Sequence, residues 1–196
     1  MLHGFADPVF DSQSAFRRVM EAMANPGNIR RIAEPRPEAG GLPAAAMASV
    51  LAMCNFETPV YLSPSLRARA GIADAIGFHT GAELTDEPAK ALFAIVDPVA
   101  DGLDLAGFAL GTPEYPDRST TIIVLCRALD AGPALAVSGP GVPSSRTLSP
   151  AGLPADFLAQ MIANRAGFPL GVDVLLVAGD RMIGLPRSVR LTPGEA

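Results

Sequence analysis

The densest set of chemistry-bearing side chains in the sequence lies at residues 111–121, GTPEYPDRSTT. It places Glu114, Tyr115, Asp117, Arg118, Ser119 and Thr120 between prolines, directly before an apolar run. Two carboxylates, a phenol and a guanidinium this close can grip a phosphate, a carboxylate or a partner chain, because arginine offers a planar, bidentate donor. A braced turn in which Asp117 and Arg118 pair with each other is the alternative that the letters leave open. A second cluster, SGPGVPSSRT at residues 138–147, supplies Gly139, Gly141, two serines and Arg146 after another apolar run. Such a loop can aim backbone N–H groups at an anion, with Arg146 as an added donor. Equally, it can be a Gly-Pro turn between strands. It has neither the Gly-Lys-Ser/Thr ending nor the G-x-G-x-x-G spacing of the nucleotide-binding loops.

His79, in GFHTG, is the one histidine away from the amino terminus and the obvious proton carrier at neutral pH. No nucleophile or carboxylate adjoins it in sequence, so a hydrogen-bonded structural histidine at a strand end is the competing reading. Ser138 lacks the G-x-S-x-G elbow of a hydrolase. Cys54, Cys126, His3 and His79 are the whole supply of soft metal ligands, and their scatter does not form a zinc set. Asp97, Asp101 and Asp104, in DPVADGLD, do not match a calcium loop and read as a solvated turn. A pyridoxal phosphate enzyme needs a lysine for its Schiff base. The sequence has Lys90 alone, in EPAKAL, which reads as an exposed helical turn.

These residues need elements to hold them. Residues 10–24 carry Phe16, Val19, Met20 and Met23 on one helical face, with Asp11 or Ser12 as cap and Asn25-Pro26-Gly27 as stop. A buried helix is expected from near Pro43 to 55, and a third over 64–75. Between the first two lies a loop with Pro35 and Pro37, and a brief helical turn is expected at 87–90. A last amphipathic helix is expected at 156–165. Strands are expected at 58–62, 77–80 (a strand end), 92–96, 120–126 and 134–137. Residues 173–177 and 181–185 read as a hairpin turning at Gly179-Asp180, and 188–191 as an edge strand. The order predicts an α/β fold in a single domain over 1–196, a mixed sheet flanked by helices in three layers.

Composition narrows the function classes. Hydrophobic residues are 49% and charged residues 18% of the 196, with mean hydropathy +0.30, which excludes disorder. A net charge of −5 carries no basic footprint for nucleic acid. The uncharged run 39–56 is mostly alanine and methionine and opens with glycines and a proline, so a buried helix fits it better than a membrane span. The first fifteen residues hold no apolar signal core, and two cysteines read as reduced thiols in a cytoplasmic protein.

The opening GFADPVFDSQSAFRRVMEAMANPG resembles the start of the PhnH family, a component of the carbon–phosphorus lyase core complex. The resemblance continues in order through Glu57-Thr58-Pro59, Phe78-His79-Thr80-Gly81, the GTPEYPDRST loop, Gly139-Pro140-Gly141, Phe168–Asp173 and Leu185-Pro186-Arg187. Val142 stands where isoleucine is expected, and Asn55-Phe56 where a more acidic pair is expected. The resemblance implies a member of a core complex with the G, I and J subunits in organic phosphonate catabolism. With the I, G and L proteins, that family supports transfer of methylphosphonate onto the ribose of ATP, which is a substrate of the complex, with release of adenine. It further implies a homodimer when isolated, and a fold like a reduced pyridoxal-phosphate transferase core without the cofactor. The family assigns no catalytic residue to carry over. His79, Glu114, Tyr115, Asp117, Arg118, Ser119, Gly139, Gly141 and Arg146 stand as ligand- or partner-binding candidates. A self-sufficient enzyme or binding protein for a phosphorylated small molecule is the alternative.

Overall fold

A computed structural model describes residues 4–32 and 40–194. His3 and the expected loop with Pro35 and Pro37 lie outside them. The chain forms a single α/β domain built on a mixed seven-stranded sheet, ordered β1-β9-β8-β5-β4-β2-β3. Its parallel centre comprises β2 (Val60–Leu62), β3 (Leu84–Thr85), β4 (Phe93–Val96), β5 (Thr121–Leu125) and β8 (Asp173–Ala178). On the other side, β9 (Arg181–Leu185) runs antiparallel to β8, and β1 (Arg30–Arg31) antiparallel to β9. A second, antiparallel sheet, ordered β10-β6-β7, is made from β6 (Leu135–Gly139), β7 (Val142–Leu148) and β10 (Arg190–Pro193). The expected single mixed sheet is thus two sheets.

Both faces of the large sheet are covered, and the period of two along its strands divides the core. Ile95, Ile123, Leu125, Leu175 and Val177 face one side, under α1 (Pro8–Ala24) and α2 (Ala44–Met53). Ala94, Ile122, Val124, Val174 and Leu176 face the other, where the small sheet and α6 (Phe157–Ala166) pack. In α2 the run Ala45, Ala46, Met47, Ala48, Ser49 and Val50 is buried throughout, as the alanine-rich sequence requires of a helix between layers.

Four expectations are corrected. First, α1 begins at Pro8 and is capped by Asp7, whose Oδ1 accepts the N–H groups of Val9 and Phe10 at 3.1 Å, rather than by Asp11 or Ser12. Its buried stripe is Ala15, Val19 and Ala22, while Phe16 and Met20 stay exposed. The alanine face wins because the neighbouring strand carries Gly184: a Cβ there would lie 2.4 Å from the Ala22 carbonyl oxygen. Helix and strand therefore approach backbone to backbone.

Second, the helix expected over 64–75 breaks at Gly71, whose φ of 87° is left-handed, into α3 (Pro64–Arg67) and α4 (Ile72–Thr80). Residues 77–80 are the end of α4 and not a strand, because Ile72, Ala75 and Ile76 bury one helical face and Gly81 closes it. Third, β7 falls on residues read as loop. Its polar letters show no apolar alternation, since most of the strand is exposed at a sheet edge. Fourth, the acidic turn DPVADGLD is ordered: Asp97 caps α5 (Pro98–Asp101), and Asp104 caps a 3₁₀ turn at Leu105–Gly107. The turn at 87–90 is observed as a 3₁₀ turn, Pro88–Lys90, and the 173–185 hairpin is observed as expected. The last edge strand is observed two residues late and on the small sheet.

Candidate functional site

The GTPEYPDRST loop sits at the amino-terminal edge of the parallel strands, immediately before β5. Reciprocal backbone hydrogen bonds between Thr112 and Tyr115, at 3.1 and 3.2 Å, close its tip, and the Arg118 N–H donates to the Tyr115 carbonyl. Glu114, Tyr115, Asp117 and Arg118 are exposed, whereas Ser119 and Thr120 are buried. The Arg118 guanidinium lies 4.2 Å above the centre of the Tyr115 ring, a cation–π contact, and not in the pairing with Asp117 that the letters left open as an alternative. Beneath, the Thr120 hydroxyl donates to the Ala91 carbonyl at 2.6 Å.

What holds this loop is a residue outside the cluster. Arg187, just past β9, donates through Nη1 to the Pro116 carbonyl at 2.6 Å and through Nη2 to the Ser119 hydroxyl oxygen. The same guanidinium forms a two-pronged pair with Asp173 at the start of β8, at 3.1 and 2.5 Å. The Asp173 carboxylate also accepts the Arg187 backbone N–H at 2.8 Å. The β8–β9 register, with Val174 opposite Leu185, is what sets Asp173 beside Arg187. Of the loop candidates only Ser119 enters this network. Asp173 and Arg187 were visible in the sequence only as letters of two separate motifs; neither lies in a polar cluster.

The second predicted loop is the tip and one strand of the β6–β7 hairpin, and it engages a different part of the chain. Arg146 donates to the Pro26 carbonyl at 2.8 Å, and its methylenes lie against Gly27. Gly141, at φ 78°, lets the tip press on the end of α1: a Cβ there would lie 2.3 Å from the Ala24 carbonyl oxygen. Gly139, at φ 127°, takes up the register shift between β6 and β7. Arg146 thus spends a donor on the Asn25-Pro26-Gly27 turn. His79, half-buried in the last turn of α4, stacks edge-to-face with Phe78 at 5.0 Å and packs against Gly4. Its Nε2 is buried with no partner among the described residues.

Other candidate chemistry is placed as follows. Lys90 is exposed on its 3₁₀ turn and pairs with Glu87 at 2.6 Å. Burial pushes the thiols of Cys54 and Cys126 up to about 12. Among the described residues no three metal-ligating side chains come together, and no helix is long and apolar enough to cross a membrane.

Comparison with known proteins extends these observations. Residues 3–192 match the family model described as "Bacterial phosphonate metabolism protein (PhnH)". The chain is 43% identical over 187 residues to the alpha-D-ribose 1-methylphosphonate 5-triphosphate synthase subunit PhnH of Rhizobium meliloti (strain 1021), covering 95% of this chain and 93% of that protein. It is 29% identical over 182 residues to a putative C-P lyase subunit protein, HtxG, of Stutzerimonas stutzeri, covering 91% of this chain and 85% of that one.

Proposed function

The chain belongs to the PhnH family of bacterial phosphonate metabolism proteins, and from that membership we propose that it works as the PhnH component of the carbon–phosphorus lyase machinery. It supports formation of alpha-D-ribose 1-methylphosphonate 5-triphosphate from ATP and methylphosphonate, with release of adenine. The observation that carries this reading is the 43% identity spread over nearly the whole of both chains to a subunit of that synthase. Its role is accessory: it assembles with the G, I and J subunits in the cytoplasm, forms a homodimer when isolated, and leaves bond-breaking to its partners. The fold is a reduced pyridoxal-phosphate transferase core that works without the cofactor. The exposed, glutamate-paired Lys90 supports that part of the reading.

The surface supports an assembling role. Five of the nine phenylalanines (Phe10, Phe16, Phe56, Phe78 and Phe168) are exposed, and Val9 and Met20 join Phe10 and Phe16 on α1. Large apolar side chains left in water at this density are what subunit contacts bury. Glu114, Tyr115, Asp117 and Arg118 offer a rigid charged platform for a partner; tyrosine and arginine are the residues that most often anchor such contacts. Ser119, Gly139, Gly141 and Arg146 set the position of the two loops, and His79 sets that of the Phe78 ring. Affinity purification of the tagged chain from phosphonate-grown cells should recover the G, I and J subunits. Their absence when every component is expressed would sink the proposal, as would light scattering that shows the isolated chain to be monomeric for its homodimer part.

A further inference from the structure

Helix α1 carries two apolar stripes, and only one of them is spent inside the molecule. The inner stripe is Ala15, Val19 and Ala22, and the close approach of Ala22 to Gly184 fixes the helix to the sheet. The outer stripe is Val9, Phe16 and Met20, which are 72%, 45% and 40% exposed. With Gln13, also exposed, these residues recur at steps of four, three and four. At about 100° per residue they fall within about 60° of one another, and about 120° round the helix from the inner stripe. That spacing is the alternating d and a seam of a helix that packs along another helix. Within the described residues nothing lies along it, and large apolar side chains grouped in this way mark an interaction surface.

The seam fits a second copy of itself. When two α1 helices run antiparallel about a two-fold axis, Val9 of one meets Met20 of the other and Gln13 meets Phe16. A smaller side chain then faces a larger one in every layer, and no position is left unmatched. Beside the seam stand Phe10, 70% exposed, and Arg17, each one residue past a seam position. Arg17 makes no ion pair among the described residues, unlike Arg18, which pairs with Glu21 at 2.9 Å. The same two-fold axis sets the Arg17 guanidinium beside the Phe10 ring of the second copy, once on each side, as a cation–π contact. Antiparallel helices also oppose their dipoles. A parallel pair would instead set Gln13 against Gln13 and Phe16 against Phe16, with Arg17 beside Ser12.

We infer that the exposed face of α1 is a self-association surface, on which a second copy of this chain lays its own α1 antiparallel, Val9 against Met20 and Arg17 beside Phe10. The inference rests on the homodimer proposed above and names the surface that makes it.

Sedimentation of the full-length chain reads the dimer. Phe16→Asp puts a charge into the seam of both copies and should raise the dissociation constant at least about a hundredfold. Arg17→Ala should raise it about tenfold. Arg18→Ala, on the far side of the helix, should leave it unchanged. All three side chains are exposed, so circular dichroism should show each variant folded. Cross-linking reads the register. Burial pushes the native thiols of Cys54 and Cys126 up to about 12, so cysteines introduced on the surface react first. A size-tagged Val9→Cys chain mixed with Met20→Cys should form a disulfide between the two under mild oxidation, and neither should link to its own kind. A dimer that survives Phe16→Asp, a missing mixed disulfide, or a Val9→Cys chain that links to itself would overturn the inference and leave the homodimer standing. A parent chain that stays monomeric at high concentration would remove both.

Discussion

Arg187 is the place where removing one side chain should tell most about how the charged loop is held. Its side chain is 14% exposed and that of Asp173 is 24% exposed, so the pair is screened far less than a surface bridge. Arg187→Ala removes both prongs to Asp173 and the donors to Pro116 and Ser119. Breaking a fully buried pair costs about 3–5 kcal/mol, mostly because the remaining charge is stranded. Here Asp173 keeps the Arg187 backbone N–H and some water, so the loss should be nearer about 2–3 kcal/mol. With a urea dependence of about 2 kcal/mol per molar, the unfolding midpoint should fall by about 1–1.5 M. Arg187→Lys keeps the charge without the planar fork and should recover about half of that. Lys90→Ala, which removes an exposed pair with Glu87, is the control and should cost under about 0.5 kcal/mol. A cycle with Asp173→Asn should give a coupling above about 1 kcal/mol. Native trypsin should cut after Arg118 faster in Arg187→Ala, because the loop has lost its anchor. A loss no larger than that of Lys90→Ala, with no change in cutting, would refute the account of the anchor.

Two further outcomes test the packing. Gly141→Ala combines a φ of 78° with a Cβ 2.3 Å from the Ala24 carbonyl oxygen, and thermal unfolding should show a loss of about 2–3 kcal/mol. Gly179→Ala, at φ 59° with open space around it, should lose only about 1 kcal/mol; equal losses would contradict the close approach. With its thiol pushed up to about 12 by burial, Cys54 should resist maleimide at neutral pH until denaturant unfolds the chain, and rapid labelling of the native protein would count against its burial.

The parts of this fold that a reader of letters can find are those in which local chemistry and final environment agree. The strands β4, β5, β8 and β9 are buried on both faces, so apart from the half-buried Thr121, Asp173 and Arg181 that open three of them, and Gly184, they are runs of apolar residues. The edge strand β7 has no such need, and VPSSRTL carries the letters of a loop. On α1 the letters offered a face of large apolar residues and one of small, and size pointed the wrong way. A helix that lies against Gly184 is selected for closeness, which leaves Phe16 and Met20 outside. The same division runs through the charged site. Glu114, Tyr115, Asp117 and Arg118 drew notice because they are dense in sequence, and they are dense because they face solvent at one turn. Asp173 and Arg187 stand alone in their own stretches and meet only through the β8–β9 register. Side chains that present a surface can be crowded into one loop, whereas those that hold the loop must come from the elements it rests on. On the assembly role proposed above, composition reveals the presented residues and only the paired strands reveal what keeps them in place.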